Sequence, residues 1–189
     1  MTTRPWEIVL DADVFLRASA RDLFLYLAAL EIVEPIWSGQ IMEEVARNFR
    51  TGRERFLTLQ AEMETAFPHA RRGQFEHRVA DLALTSEKDR HVLALAAEYE
   101  ADLVSFNHRD YDPTEAKHHG VTVWSPDDAL GFLIQRHPRE VEQVVGRAYL
   151  MLRKPPVRWA DYIEHIRADG MPTMAAWVSG LPEPLRRIP

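Results

Sequence analysis

The chain has 189 residues, of which 46% are hydrophobic and 28% are charged, as is typical of a folded domain with an appendage and not of a disordered chain. It contains no cysteine, which excludes disulfide bridges, thiolate metal sites and a cysteine nucleophile. A formal net charge of -6 argues against binding nucleic acid through bulk positive charge. Six arginines either line one rim of a site or lie on solvated helix faces: Arg47, Arg50, Arg53, Arg55, Arg71 and Arg72.

The sequence has no run that approaches about 18 consecutive apolar residues, the length that a membrane-spanning helix needs. Its first residues, MTTRPWEIVLDADVF, lead directly into a strand-like segment with acids and lack the pattern of a secretory signal peptide. We therefore expect a cytoplasmic protein without a membrane partner.

The amino-terminal part of the chain predicts a β-α-β unit. An apolar run from Trp6 to Leu10 indicates a first strand, and Val33 to Trp37 indicates a second one. Between them, Ser19 is predicted to cap a helix whose leucines recur at helical spacing, namely Leu23, Leu27 and Leu30.

Two further helices are predicted before the middle of the chain. Ser38 is a candidate N-cap for a helix with one apolar face, formed by Ile41, Met42, Val45 and Phe49. A more polar helix is predicted from Arg53 to Ala66, and Pro68 ends it. The pattern from Arg71 to Leu84 is ambiguous.

The next part alternates helix and strand again. Ser86 is predicted to cap a helix that extends through Tyr99, and strands are predicted at Asp102 to Phe106 and at Val121 to Trp124. Strands that alternate with helices predict a three-layer α/β/α fold with a central parallel sheet. Functional groups in such folds collect at the carboxyl ends of the strands.

The remainder of the sequence is predicted to be helical. A helix start at Ser125 to Asp128 is followed by a helix from Pro138 to Arg153, which Pro155 and Pro156 end, and by short helices around Tyr162 to Ile166 and Met174 to Val178. Some 50 residues bury too little surface to be securely stable alone. We therefore divide the chain into a domain of residues 1–136 and a helical extension of residues 137–189.

Four groups of acidic residues lie near the ends of predicted elements. They are Asp11 with Asp13, Glu43 with Glu44, Asp89, and Asp110 with Asp112. Carboxylates that are brought together repel one another, so such a cluster is stable mainly when a cation or raised pKa values compensate the charge. Oxygen ligands suit Mg²⁺ or Mn²⁺, and the pattern therefore favours a site for one of these ions.

Each acidic group also has a structural interpretation. Asp89 follows Ser86 in the spacing of a capping box, Glu44 precedes Arg47 in the spacing of a surface pair, and the acids before Pro113 are typical of turns. A purely structural role is hardest to assign to Asp11, because an unpaired acid at the end of an apolar strand is rare. The histidines in the later loop are predicted to be solvated: His108, His118 and His119.

Four segments, taken in order, resemble the PIN-domain superfamily and within it the VapC-like toxin endoribonucleases. They are VLDADVFLRASARDLFLYLA, PIWSGQIMEEVARNF, SEKDRHVLALAAEYEADLVSFNHRDYDP and GVTVWSPDDAL. The resemblance covers roughly residues 7 to 133 and implies a PIN-like fold. The tail, with its Gly170-Met171-Pro172 turn, resembles the helical C-terminal extension of one subgroup of these toxins.

The resemblance also implies which acids are functional. Asp11 matches the first invariant acid of the family, Glu44 the helical acid, Asp89 the acid before the RHVLALA helix, and Asp110 the acid of the NxRDY segment. These four are expected to bind one or two Mg²⁺ or Mn²⁺ ions, and a water activated by the metal is expected to attack an RNA backbone phosphate. A cognate antitoxin that inserts an arginine among the carboxylates, and a toxin homodimer, are further implications.

Four more residues are assigned supporting roles. Asn107 takes a position that in relatives is a fourth acid or an asparagine, and Asp13 replaces the amide of the usual D-A-N opening, which adds negative charge near the metal. Ser105 and Asn107 are expected to hydrogen-bond a ligand or a carboxylate. Arg21 is a candidate contact for a phosphate or a partner, or a surface residue beside Asp22.

Two alternative functions start from the same residues. The LDADV segment also resembles the opening of haloacid-dehalogenase-like phosphatases, with Asp11 as nucleophile and Asp127 and Asp128 as magnesium ligands. Against it, Phe15 stands where that family prefers threonine or valine, and Glu44 would have no task. The other alternative is a PIN-like fold retained as a non-catalytic module that binds an antitoxin or an RNA.

Overall fold

The computed structural model describes residues 4–152 and 157–184, so the predicted helix stop at Pro155 and Pro156 lies outside the described residues. In chain order the elements are β1 (Trp6–Leu10), α1 (Ala12–Leu16), α2 (Ala18–Ala29), β2 (Val33–Ser38), α3 (Gly39–Asn48), α4 (Arg53–Ala66), β3 (Arg71–Arg72), α5 (Glu76–Val79), α6 (Arg90–Glu98), β4 (Asp102–Val104), a 3₁₀ turn (His108–Asp110), α7 (Pro113–His118), β5 (Val123–Trp124), α8 (Pro126–Arg136), α9 (Pro138–Met151), α10 (Trp159–Ala168) and α11 (Pro172–Ser179). None of the helices within these two ranges is long and apolar enough to cross a membrane.

The centre of the fold is a parallel sheet with the strand order β3-β2-β1-β4-β5. β1 is the middle strand, because it pairs with β2 on one side and with β4 on the other. Its residues Ile8, Val9 and Leu10 are fully buried, as expected for a strand that helices cover on both faces. The predicted α/β fold with a central parallel sheet and C-terminal helices is confirmed.

Two of the predicted helix starts are confirmed by the hydrogen bonds of their capping serines. The Ser38 hydroxyl accepts a hydrogen bond of 3.2 Å from the Ile41 amide at the start of α3. The Ser125 hydroxyl accepts one of 3.1 Å from the Asp128 amide at the start of α8. These caps satisfy amide groups that the first turn of a helix leaves without an intrahelical partner.

Two other serine caps were predicted wrongly. Helix α2 begins at Ala18, and the Ser19 amide donates to Asp169 Oδ2 at 3.3 Å, so a distant carboxylate takes the role predicted for the Ser19 hydroxyl. Helix α6 begins at Arg90, and Ser86 contributes its backbone carbonyl, which accepts from the Asp89 amide at 2.8 Å. Both corrections place the helix start away from the predicted serine.

Three strands differ from the prediction: β4 and β5 are shorter than predicted, and β3 was not predicted. β4 ends at Val104 and β5 contains only Val123 and Trp124. β3 lies in the ambiguous segment, where Arg71 pairs with Trp37 of β2. A strand of two arginines has no apolar alternation, so only its pairing with β2 defines it.

The C-terminal helices pack against the sheet domain. α9 lies on α2, and α11 lies against both α8 and α10. Val141, Val144 and Val145 of α9 are buried, as are Met174 and Ala175 of α11. The three predicted helices of the extension are therefore present. The two short ones are longer than the sequence pattern indicated, α9 ends at Met151, and the division at residue 136 stays a prediction.

Candidate active site

Asp11 stands at the carboxyl end of the central strand and is held by three donors. Its Oδ1 accepts from the Ala12 amide at 2.7 Å, which makes Asp11 the N-cap of α1. Its Oδ2 accepts from the Ser105 hydroxyl and from the Tyr111 hydroxyl, each at 2.8 Å. Because β1 and β4 are parallel neighbours, the residues that follow them meet at one edge of the sheet. The Asp11 carboxylate is therefore fixed and only 7% exposed.

Asp13 holds the loop that follows β4. Its carboxylate accepts from the Ser105 hydroxyl at 3.1 Å and from the amides of Phe106 and Asn107 at 3.2 and 3.0 Å. Burial, followed by the charge of Asp11, raises the pKa of Asp13 to about 6, although these hydrogen bonds oppose the shift. Asp13 therefore brings negative charge next to Asp11, and its hydrogen bonds fix the 105–107 segment.

Glu44 and Asp89 lie close enough to Asp11 to be affected by its charge. Burial raises the pKa of Glu44, and the charges of Asp11 and Asp89 raise it further. Burial also raises the pKa of Asp89, with contributions from Asp11 and Asp110. Carboxylates from β1, α3, the start of α6 and the 3₁₀ turn thus repel one another across a shared space.

One atom of this cluster has no hydrogen-bond partner. Asp89 Oδ2 is buried and receives no hydrogen bond from any described residue. Its nearest cation is the Lys88 ammonium, 3.7 Å away, which also lies 3.5 Å from Asp110 Oδ2. A buried carboxylate oxygen without a donor is costly, and such an atom indicates a missing partner.

The four acids do not form a ready-made metal site. Within residues 4–152 and 157–184, no three Asp, Glu or His side chains are placed to hold one metal ion together. The Asp110 side chain is 45% exposed and pairs with Lys88. The structure thus places Asp11, Glu44, Asp89 and Asp110 around one edge of the sheet, but their carboxylates are not close enough together to bind one metal ion.

Two residues that sequence reasoning did not select are buried at this edge, and one of them, Tyr111, bonds a predicted site acid. Tyr111 is buried and donates to Asp11 Oδ2, and burial followed by the Asp11 charge raises its pKa well above the usual value. His91, in the first turn of α6, is also buried near Asp11, and burial lowers its pKa. The tyrosine of the RDYD segment follows a predicted site acid directly, and that spacing was the available signal.

Glu115 is the third residue that sequence reasoning missed. This buried carboxylate accepts from the amides of Ala83, Leu84 and Thr85 at 2.6, 2.9 and 2.7 Å. Burial alone would raise the pKa of Glu115, but these hydrogen bonds outweigh it and lower the pKa to about 2. Glu115 thereby fixes the segment that leads to Asp89.

Other predicted site residues lie in different surroundings. Arg21 forms an ion pair of 2.8 Å with Asp22 and its side chain is 14% exposed, so its contact with a phosphate or a partner stays a prediction. Asn107 is exposed, and its backbone amide makes the contact with Asp13. The Ser105 hydroxyl donates to a carboxylate, which is the kind of contact predicted for it.

Three other acids named in the sequence, Asp112, Asp127 and Asp128, bond groups at the starts of helices. Asp112 accepts from the amides of Thr114 and Glu115 and begins α7. Asp127 accepts from the amides of Thr173 and Met174 at the start of α11, and Asp128 bonds the Ser125 hydroxyl at the start of α8. The carboxylates of Asp127 and Asp128 therefore bind protein groups at helix starts. The phosphatase alternative required these two residues as magnesium ligands, so the structure does not favour it.

A parallel α/β sheet with a carboxylate cluster at the carboxyl end of its central strand defines a PIN-like protein. The family described as VapC50 C-terminal domain matches residues 126–180, which include α8 to α11. This match covers less than a third of the chain, and it indicates that the C-terminal helices are similar to those of VapC toxins, which are PIN-domain proteins. No curated protein and no solved structure matches it.

Proposed function

We propose that this chain, whose C-terminal helices match a VapC family model, is a metal-dependent endoribonuclease, the toxin of a type II toxin-antitoxin pair. The family is one of toxins with nuclease activity that pair with antitoxins. The observation that supports the catalytic proposal is the mutual repulsion of Asp11, Glu44 and Asp89 around the donor-free oxygen of Asp89. Such an arrangement costs stability without a cation and gains it with one.

The residues present suit Mg²⁺ or Mn²⁺ in their chemistry. The candidate ligands Asp11, Glu44, Asp89 and Asp110 offer only carboxylate oxygens, which hard divalent ions prefer. When bound, such an ion supplies Lewis-acid activation of a water and neutralises charge that develops on the phosphate. Because no three of these side chains meet in the described structure, they must close by side-chain rotation or share waters.

The surrounding residues keep these ligands in place. Ser105 and Tyr111 donate to Asp11 Oδ2, which fixes the orientation of that carboxylate. Asp13 ties the 105–107 segment to α1. Glu115 holds the 83–85 segment and so sets where α6 begins and where Asp89 stands. These supports fix the Asp11 carboxylate and the backbone around Asp89, so that closure on an ion needs only side-chain rotation or bridging waters.

Two proposals about partners follow from the family match and from the charge of the site. An antitoxin with a basic segment suits the acidic edge, because an inserted arginine would compensate the same carboxylates as a metal ion. We also propose that the toxin forms a homodimer. Native mass spectrometry of the purified chain with and without its antitoxin tests both.

The deciding experiment is cleavage of a labelled total-RNA pool with Mg²⁺, Mn²⁺ or EDTA. Asp89→Asn removes the carboxylate with the donor-free oxygen, and Asp81→Asn, on the exposed surface, is the matched control. Metal-dependent products with wild type and Asp81→Asn, but not with Asp89→Asn, support the nuclease.

Equal cleavage by all three proteins contradicts the proposed site, because Asp89 would then have no part in the reaction. Tight Mn²⁺ binding without cleavage of any RNA supports the non-catalytic module instead. Phosphate trapped covalently on Asp11 would favour the phosphatase.

A further inference from the structure

A cavity of about 800 Å³ lies between the start of α2, the turn after α3 and helices α9 and α10. Its volume is within the range of about 300–1,000 Å³ that ligand pockets usually have. None of the four proposed metal-binding acids is among its lining residues in the described part of the chain. The sheet domain and the helical extension both contribute to its wall.

The lining of this cavity carries a net positive charge, because it includes three arginines (Arg17, Arg21 and Arg50) and two aspartates (Asp22 and Asp169). Its acids are engaged, since Asp22 pairs with Arg21 at 2.8 Å and Asp169 Oδ2 accepts from a backbone amide. Arg17 donates to a neutral group, the Asp169 carbonyl, at 2.6 Å. Arg50 is exposed and forms no ion pair with any described residue. Two guanidinium groups without carboxylate partners favour an anionic occupant.

Arg17 connects the cavity to the acidic edge. Its guanidinium carbon lies 3.8 Å from the centroid of the Phe106 ring, and the Phe106 amide donates to Asp13. Gly170, between α10 and α11, has a φ of +90°, and a Cβ there would lie 3.1 Å from Arg17 Nη1. The extension thus packs directly on the residue that joins the two sites.

Arg50 follows the same helix, α3, that bears Glu44. Two links, one through Arg17 and Phe106 and one through α3, therefore connect the cavity to the segments that carry Asp13 and Glu44. Phe49, a half-buried aromatic residue, also lines the cavity next to Arg50. Arginines beside an aromatic ring suit a nucleotide, because phosphates bind guanidinium groups and bases stack on rings.

We propose that this cavity binds a single-stranded segment of the RNA next to the cleaved phosphate. Arg17 and Arg50 contact its backbone and Phe49 contacts a base. The extension is then part of the substrate site. This inference rests on the proposed nuclease function. An acidic peptide would also be attracted by the arginines, but it would make no use of the aromatic ring, and the acidic edge nearby favours a basic partner segment.

The test measures binding of a short fluorescein-labelled single-stranded RNA by anisotropy in EDTA, so that cleavage does not interfere. Arg50→Gln is the main variant, because its side chain is exposed and its loss leaves the fold intact. Arg139→Gln is the matched control, at the other end of α9 and about 14 Å along the helix from Ala148, the nearest residue of α9 that lines the cavity. We expect Arg50→Gln to weaken binding by about threefold to tenfold and to lower the salt slope by about one, with Arg139→Gln unchanged.

The proposal is overturned if Arg50→Gln and Arg139→Gln bind the RNA equally well. It is also overturned if poly-glutamate binds in an Arg50-dependent manner while the RNA does not, because the occupant is then an acidic peptide. The metal-dependent cleavage assay is scored separately. If RNA binding depends on Arg50 but no RNA is cleaved, the proposed nuclease activity is contradicted and RNA binding in the cavity is supported. If Arg50→Gln leaves cleavage unaltered, RNA binding in the cavity is contradicted and the nuclease activity is not.

Discussion

Tyr111 donates a 2.8 Å hydrogen bond to Asp11 Oδ2, the oxygen that also accepts the Ser105 hydroxyl. The two residues are joined across 100 positions of sequence, and Tyr111 is 2% exposed. A buried hydroxyl in this position controls the orientation of the first predicted metal ligand.

Tyr111→Phe is expected to lower RNA cleavage and Mn²⁺ affinity by about tenfold, because an outer hydrogen bond to a ligand typically has an effect of about 10- to 100-fold. Isothermal titration with Mn²⁺ and a cleavage time course measure the two quantities. Tyr99→Phe is the control, since it removes a hydroxyl that bonds the Gly73 carbonyl at 2.7 Å, outside the acidic cluster. If the two variants change the Mn²⁺ affinity equally, the hydrogen bond from Tyr111 to Asp11 does not contribute to metal binding, and Tyr111 only packs in the core.

Glu44→Gln is expected to have opposite effects with and without metal. Without metal it relieves repulsion from Asp11 and Asp89, so the free energy of unfolding rises slightly. With Mg²⁺ or Mn²⁺ present, wild type gains stability in proportion to ion binding, and the variant loses most of that gain.

Thermal unfolding in EDTA and across a Mn²⁺ titration measures both effects of Glu44→Gln. The exposed neighbour Glu43→Gln serves as the control and should follow wild type in each series. A variant that keeps the full metal-induced shift would show that Glu44 is an ordinary helix residue.

Lys88→Met is expected to tighten Mn²⁺ binding several-fold at low salt. The Lys88 ammonium lies within 4 Å of both Asp89 and Asp110 and so competes with a metal ion for the same carboxylates. Because the side chain is 69% exposed, the gain should shrink as salt screens the charge. Lys117→Met, an exposed lysine on α7, is the comparison, and an equal change in both variants would assign the effect to net charge.

Glu115→Gln tests the support of the segment before Asp89. It is expected to lower the free energy of unfolding at neutral pH by about 2 kcal/mol, because amide donors lose a charged acceptor. The pKa of Glu115 is lowered from 4.5 to about 2 in the folded chain. Its contribution is therefore complete above about pH 4.5 and is lost as the pH falls towards 2.

Denaturant unfolding of wild type and Glu115→Gln at several pH values between these limits measures that contribution. The two stability curves should converge as the pH falls, since the wild-type carboxylate becomes protonated. Curves that stay parallel would mean that the carboxylate charge has no role in holding residues 83–85.

The parts of the fold that the sequence predicted are those set by local pattern. Strands β1 and β2 are buried on both faces and therefore appear as apolar runs, and the caps at Ser38 and Ser125 act within three residues. β3 could not be recognised, because it exists only through its pairing with β2. Ser19 failed as a cap because Asp169, 150 positions away, binds its amide.

The same distinction applies to the candidate site. Asp11 was recognisable because an acid that ends an apolar strand is unusual in any sequence. Tyr111 and Glu115 act through partners 100 and about 30 residues distant, and no spacing rule marks such pairs. The hydrogen bonds from the amides of Phe106 and Asn107 to the Asp13 carboxylate also form only because β1 pairs with β4, and the sequence does not show that pairing.

The position of β1 in the sheet has a consequence for how the protein is synthesised. β1 is synthesised before its neighbour β4, which begins at Asp102, so one edge of β1 stays open until β4 has been made. Asp11 meets Ser105 and Tyr111 only after that point. Pairings of such long sequence separation form slowly. A nascent chain therefore lacks an assembled acidic site until β4 and the turn after it have been made and have folded against β1.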